Sequence, residues 1–415
     1  MIEYTKEKPL RVFESFAGYG SQSMALQRLK DNYPTFDFKV VGFSEIDVNA
    51  IKAYNAVHGD IKNYGDISKV NWDEVPDFDL FTASSPCQDI SSSGKQDGLE
   101  EGSGTRSSLL WECKRAILAK KPRYVFFENV KALVSAKFLP FLRQWQTWIY
   151  QQGYENFTQV LNASSYNVPQ NRERVFMISI LRTDGEPNPS FYFPKKMKLE
   201  KRIKDILEPT VDESFYLSDK TLEYFCRVNN SRLNGIMSYK IERIFNIYTG
   251  KILGGCYAGN VYGIYGIAPT ISCMGGGNRM PLILIENEKR KKYRIRKLTP
   301  EECFRLQDVN DEDIEKIRSY VDNETAIICD ANGKPIMNTG FEKPSKNARK
   351  ITITVNGEQR EYYCSQLIWK NKGKGISKTA QYKLAGNSIC IAPMYHIFRK
   401  LFVEKECESN QLTLF

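Results

Sequence analysis

Short apolar runs alternate with amphipathic stretches through the first 180 residues. Arg11-Val-Phe-Glu-Ser-Phe16 is an apolar run that ends at Gly18 and Gly20, and the pattern over Ser21–Lys30 predicts a helix. Val40–Ser44 predicts a second strand, followed by the acidic pair Glu45 and Asp47 and a helical stretch that stops at His58-Gly59. Strands are predicted again at Phe78–Thr82, Tyr124–Phe127 and Arg174–Ile180, with a helix over Ser107–Lys120. This spacing predicts an α/β fold with a mostly parallel sheet covered by helices on both faces. Ligands of such sheets sit outside the carboxyl ends of the strands, where the motifs considered below all fall.

After Ile180 the alternation breaks. Nine of the 27 glycines lie between residues 250 and 279, interleaved with Tyr257, Asn260, Tyr262 and Tyr265. Such a stretch predicts loops and short strands rather than a helical core. Asp311–Tyr320 predicts an acidic helix, and the alternation around Asn356-Gly357 predicts a hairpin. No internal repeat or low-complexity tract is visible.

Composition narrows the chemistry. At 415 residues with 41% hydrophobic positions, the chain can bury a full core. Its two histidines, His58 and His396, exclude a multi-histidine metal site and leave a Ser-His-Asp hydrolase only one of two candidates. None of the ten cysteines falls in a C-x-x-C pair, which removes zinc ribbons and thioredoxin-like motifs and suits a reducing cytosol. The start of the chain is charged and no apolar run approaches the roughly 18 residues of a membrane span, so a soluble, cytoplasmic protein is expected. The net charge of +10 is unevenly spread: residues 1–180 hold 21 basic and 21 acidic side chains, 181–300 hold 21 and 12, and 331–400 hold 13 and 3. Blocks of this kind serve phosphate backbones, or are plain solvated lysine faces.

Three clusters carry candidate chemistry. Phe16-Ala-Gly18-Tyr-Gly20 between a strand and a helix resembles a nucleotide-binding turn but lacks the third glycine of the dinucleotide fingerprint. Glu45 follows the second strand, where ribose hydroxyls are gripped. Together they favour S-adenosylmethionine over NAD; a glycine turn beside a helix-capping acid is the plain alternative. Cys87, in Ser84-Ser-Pro86-Cys87-Gln88, is a candidate thiolate nucleophile or an inert packing residue. Glu128 ends one strand and Arg172 and Arg174 open another, alternating so that both face one side.

In order along the chain stand F-x-G-x-G (16–20), Glu45, Asp66, Pro86-Cys87-Gln88, Glu128-Asn129-Val130, Gln170-x-Arg172-x-Arg174, the segment Arg296-x-Leu-Thr-Pro-x-Glu302-x-x-Arg305-Leu-Gln, and Gly386-Asn387-Ser388. This set resembles the full motif series of cytosine-5 DNA methyltransferases of the bacterial or phage restriction-modification type, from residue 11 to about 400. The resemblance implies a Rossmann-like methyltransferase domain over 1–180, completed by 381–415, and a target-recognition domain with a hinge over 181–307. The 308–380 segment is an insertion, since relatives join their last two motifs by a short connection whereas Gln307 and Gly386 are 79 positions apart here.

The same resemblance implies the reaction. Cytosine C5 is a poor nucleophile until a thiolate adds at C6, and Cys87 takes that role. Glu128 donates a proton toward N3, Arg174 holds the base O2 and Arg172 supports the site. The cofactor is S-adenosyl-L-methionine, with no metal; its contacts carry over as Phe16, Ala17, Gly18, Gly20, Glu45, Ile46, Asp66, Ile67, Pro86, Leu109, Asn387 and Ser388. Two departures are Ile46, where many relatives place tryptophan, and Ser85 before Pro86. Gln88, Ser93 and Arg106, in a glycine-rich loop that folds over a flipped base, are implied DNA contacts. Asn278 and Arg279 are the expected base-reading or backbone-contacting pair within the net +9 block. The implied partner is double-stranded DNA, acted on by a monomer, with any cognate restriction endonuclease sharing the site and not a stable complex. A tRNA cytosine methyltransferase, a catalytically silent DNA-binding module and a nucleotide-linked dehydrogenase are the competing readings.

Overall fold

The computed structural model describes residues 3–85, 106–218, 243–246, 259–273, 280–287, 292–321, 327–329, 349–355, 358–364, 366–368 and 375–404. The chain divides into two compact units, one formed by Met1–Ile317 with Ser377–Phe415, the other by Arg318–Ile376.

The first unit opens with β1 (Leu10–Ser15), α1 (Ser21–Asn32), β2 (Phe38–Ser44), α2 (Val48–His58), β3 (Leu80–Ala83), α3 (Cys113–Lys120), β4 (Tyr124–Val130), α4 (Leu139–Gln151), β5 (Tyr154–Asn162) and β6 (Glu173–Leu181). The six strands form one sheet in the order β2-β1-β3-β4-β6-β5. β2, β1, β3 and β4 are parallel, and β6 runs antiparallel to both of its neighbours. The central strands are buried on both faces, which is why β1, β3 and β4 read as near-continuous apolar runs. Their alternate side chains build two layers. Phe13, Phe81 and Phe127 point into a cluster with Trp72, Trp111, Trp145 and Ile149, while Phe126 faces the opposite side against Phe398.

β5 carries no clear strand signal in the sequence, because YENFTQVLN at the sheet edge is mostly half-buried and its polar residues come in adjacent pairs, Glu155-Asn156 and Thr158-Gln159, instead of alternating. Only Ala163–Arg172 separates β5 from β6, too short for the helical crossover that a parallel pairing requires, so β6 reverses direction. The predicted helix over Ser107–Lys120 is in fact a 3₁₀ segment, Arg106–Glu112, leading into the short α3.

A second sheet in this unit comprises β7 (Arg243–Asn246), β8 (Asn260–Gly263), β9 (Leu282–Asn287) and β10 (Lys292–Lys297), ordered β10-β9-β8-β7. The chain continues through α5 (Pro300–Arg305) and α6 (Asp311–Ser319). Thr299 caps α5 in a capping box with Glu302, and Glu302 also holds Arg296 in a fully buried two-point ion pair with contacts of 2.6 and 2.7 Å. Among the described residues of the second unit are β11 (Ile327–Cys329) paired with β14 (Gln366–Ile368) and β12 (Arg349–Val355) paired with β13 (Glu358–Cys364). Val355 faces Glu358 in the antiparallel register of this pair; the predicted turn residues Asn356 and Gly357 lie outside the described residues. The first unit ends with α7 (Lys378–Asn387) and α8 (Ile391–Phe402), the latter packed along α1. Among the described residues no helix is long and apolar enough to cross a membrane.

Candidate active site

A cavity of about 1020 Å³ opens at the carboxyl ends of the parallel strands. Its wall comes from the β1–α1 turn, the β2–α2 loop, Asp66-Ile67, the start of the β3 loop, the end of β4, the start of β6, and segments 270–273 and 380–389.

The β1–α1 turn is backbone in an uncommon conformation. Phe16, Gly18 and Gly20 all have positive φ, at 54°, 59° and 80°. The two glycines serve different ends. A Cβ at Gly18 would meet no protein atom within 4 Å, leaving the backbone open to a bound molecule. A Cβ at Gly20 would lie 2.3 Å from His58 Nε2 and 2.8 Å from Tyr54, so this glycine is required by packing against α2, and it is not part of the cavity wall.

Glu45 organises the rim by accepting hydrogen bonds from Gly18 N at 2.9 Å and from Ile46 N and Asp47 N at 2.8 Å. Ile46 stands beside it with 69% of its surface exposed. Asp66 accepts from Ser68 N and Oγ, fixing a 3₁₀ turn that buries Ile67. Asp47 caps α2 through Asn49 N and Ala50 N, and its other oxygen takes Lys383 Nζ of α7 at 2.6 Å. That ion pair, between residues 336 positions apart that no local motif links, ties α7 to the rim organised by Glu45.

At the other end of the cavity, Glu128 is 6% exposed and Arg174 Nε lies 3.2 Å from its Oε1. The reversal of β6 makes this meeting possible, since it puts the amino end of β6 beside the carboxyl end of β4, with Val130 opposite Arg174. Burial pushes the Glu128 carboxyl above its ordinary range, against the lowering influence of Arg174 and Arg172. Asn129 donates to both the carbonyl and the hydroxyl of Ser85, at 3.3 and 3.2 Å, holding the foot of the loop that leads to Cys87. Arg172 is buried and donates to the carbonyls of Ile271, Gly386 and Ser388. Close packing reinforces this junction, because a Cβ at Gly386 would fall 2.0 Å from Ser272 O. Gln170 adds a second clasp, donating to Leu306 O at 2.6 Å and accepting from Ile271 N at 3.1 Å.

Phe16, Ala17, Gly18, Glu45, Ile46, Asp66, Ile67, Leu109, Glu128, Arg172, Arg174, Asn387 and Ser388 thus converge on one cavity. Pro86, Cys87, Gln88, Ser93, Asn278 and Arg279 lie outside the described residues. Arg106 is described only in its backbone, at the start of the 3₁₀ segment.

Residues 10–321 match the model of the family described as C-5 cytosine-specific DNA methylase. The chain belongs to this family. The type II methyltransferase M2.ScrFI of Lactococcus lactis subsp. cremoris is 32% identical over 393 residues, covering 81% of this chain and 99% of its own. The orphan methyltransferase M.SPRI of Bacillus phage SPR is 31% identical over 456 residues, covering 96% and 99%. The methylase also shares its fold with the S. pombe Dnmt2 methyltransferase (TM-score 0.54, 16% identity, 94% and 97% covered). A putative DNA modification methyltransferase of an E. coli prophage matches with the same score and identity, over 94% of this chain and 98% of its own. Enzymes of this family draw their methyl group from S-adenosylmethionine, and this methylase is a DNA cytosine-5 methyltransferase related to restriction-modification enzymes.

Proposed function

We propose that this methylase transfers the methyl group of S-adenosyl-L-methionine to C5 of a flipped-out cytosine in duplex DNA through a covalent bond between Cys87 Sγ and C6. The observation that carries this reading is the buried Glu128–Arg174 pair facing the same cavity as the open Gly18 turn. The residues fit the cofactor. Gly18 leaves room for close approach, Glu45 presents a carboxylate at the rim, and Phe16, Ile46 and Leu109 give apolar cover. When bound, the cofactor supplies an electrophilic methyl group. Cys87 attacks C6 and breaks the ring's aromaticity, which makes C5 nucleophilic. Glu128, whose proton affinity burial raises, donates toward N3 as charge develops there, and Arg174 hydrogen-bonds O2. Loss of the C5 proton and departure of the thiolate then release 5-methylcytosine.

Residues 181–307, containing the sheet β7–β10 and the net +9 block, supply the target-recognition surface, and the 308–380 insertion adds a further contact surface. We place the enzyme in the bacterial cytosol or nucleoid, acting as a monomer, with any cognate endonuclease reading the same site independently. Labelled methyl from S-adenosylmethionine is expected to enter duplex DNA with the wild type and not with Cys87→Ser. Bisulfite sequencing of DNA from expressing cells should reveal one protected sequence. Full activity of Cys87→Ser, or label in tRNA instead of DNA, overturns the reading.

A further inference from the structure

The first turn of α1 carries three consecutive polar residues, Ser21, Gln22 and Ser23, all of them buried. Gly20 at the cap offers no side chain, and each of the three residues after it reaches a different segment. Ser21 Oγ lies 3.1 Å from Ser388 Oγ, Ser23 N donates to Glu14 Oε1 of β1 at 2.9 Å, and Gln22 Nε2 donates to Ser84 Oγ at 3.0 Å.

Gln22 is the informative member. It is 1% exposed, and its Oε1 is buried with no hydrogen-bond partner. An unmatched buried acceptor costs about 1–3 kcal/mol, so packing alone favours leucine or methionine here. Gln22 and Ser84 both line the cavity, and Ser84 stands three residues before Cys87. The next residue, Ser85, is held from the opposite side by Asn129 of β4. The foot of the Cys87 loop is therefore pinned between α1 and β4.

We propose that Gln22 is a positioning residue for methyl transfer: acting through Ser84, it fixes the Cys87 loop relative to the cofactor turn that begins the same helix. The inference rests on the reading of Cys87 as the nucleophile. Because α1 starts at the last glycine of the turn, one rigid element carries both the cofactor cradle and the loop's anchor. A misplacement of about 1 Å in a reacting group can cost on the order of 100-fold in rate.

The test is the single-turnover rate of covalent adduct formation between the full-length protein and duplex DNA in which every cytosine is 5-fluorocytosine, at saturating S-adenosylmethionine. Absence of an adduct with the wild type, or an adduct with Cys87→Ser, removes the nucleophile reading itself, whatever Gln22 does. Given the wild-type adduct, Gln22→Met, which conserves volume, and Ser84→Ala should each slow trapping about tenfold or more. The double variant should be no slower than the slower single, since both act through one contact. Cofactor affinity, by equilibrium dialysis, should stay within about twofold of wild type. A wild-type trapping rate in Gln22→Met, multiplying effects in the double variant, or cofactor affinity and melting temperature falling together with the rate each overturns the proposal. If Gln22→Met does not fold, Ser84→Ala decides alone, and an unchanged trapping rate in that variant overturns it.

Discussion

Arg174 Nε approaches Glu128 Oε1 to 3.2 Å across the junction of two antiparallel strands, with both side chains largely buried. Two opposing effects act on the carboxyl. Desolvation raises its proton affinity and the neighbouring guanidinium groups lower it, and desolvation dominates. Under the proposed mechanism, a base whose O2 draws the Arg174 donors toward itself would weaken the lowering effect and leave Glu128 better able to hold the proton it is to deliver.

Replacing Glu128 with Gln should reduce the single-turnover methylation rate by about 10²–10⁴-fold, the usual contribution of a general acid. The acid must be protonated, so the wild-type rate should fall as pH rises through the elevated pKa. Single-turnover rates measured against pH should show that limb in the wild type and not in Glu128→Gln. A variant that keeps the wild-type limb would assign the titration to another group.

The two arginines should separate by readout. Arg174→Ala is expected to lose methylation with a smaller drop in melting temperature than Arg172→Ala, because the buried Glu128 it leaves behind can take up a proton instead of standing as a bare charge. Arg172→Ala strips donors from the carbonyls of Ile271, Gly386 and Ser388. Each buried carbonyl left unsatisfied costs about 1–3 kcal/mol, so urea unfolding of Arg172→Ala should show a loss of about 3 kcal/mol or more. Equal melting temperatures for the two variants would contradict this division.

Glu14 makes stability depend on pH. It is fully buried and accepts from Tyr54 Oη at 2.5 Å and Ser23 N at 2.9 Å, and burial pushes its pKa from 4.5 to about 7. The folded state thus holds its proton where the unfolded state has released it. The stabilisation is complete below about pH 4.5 and is lost as pH rises through about 7. At 1.36 kcal/mol per unit the loss is about 3 kcal/mol. Glu14→Gln cannot titrate, so its stability relative to wild type should improve between pH 5 and pH 8 in urea unfolding.

Removing one partner of a buried ion pair strands the other charge. Glu302 accepts from Arg296, from Thr299 N at 2.9 Å and from Glu208 N at 2.9 Å, entirely out of water. Glu302→Ala should therefore lose about 3–5 kcal/mol by chemical unfolding. Glu301→Ala, one position away and half-buried, should lose well under 1 kcal/mol.

Much of the parallel half of the sheet was legible in the chain. β1, β3 and β4 announce themselves because a strand buried on both faces must be apolar throughout, edge strand β2 through its apolar run into the sheet, and α1 and α2 because glycine and capping residues mark the ends of helices. The edge strand β5 was not legible, since half of its surface faces outward and its polar residues match a loop as well as a strand. Gln22 and Lys383 also escaped notice. Their partners, Ser84 and Asp47, are 62 and 336 positions away, and no local pattern encodes such a pairing.

By itself, then, the sequence determined the residue types and their order: a glycine turn, an acid after the second strand, a cysteine, a glutamate, two arginines and a C-terminal Gly-Asn-Ser. Order along the chain is a covalent property and survives unfolding. Tertiary structure decided which groups meet and in what environment. The short β5–β6 connection turned β6 around and brought Arg174 to Glu128, and only the folded core could exclude the water that would otherwise keep that glutamate an ordinary carboxylate. Direction of a strand and loss of solvent are collective properties of packed elements, so no single motif carries them.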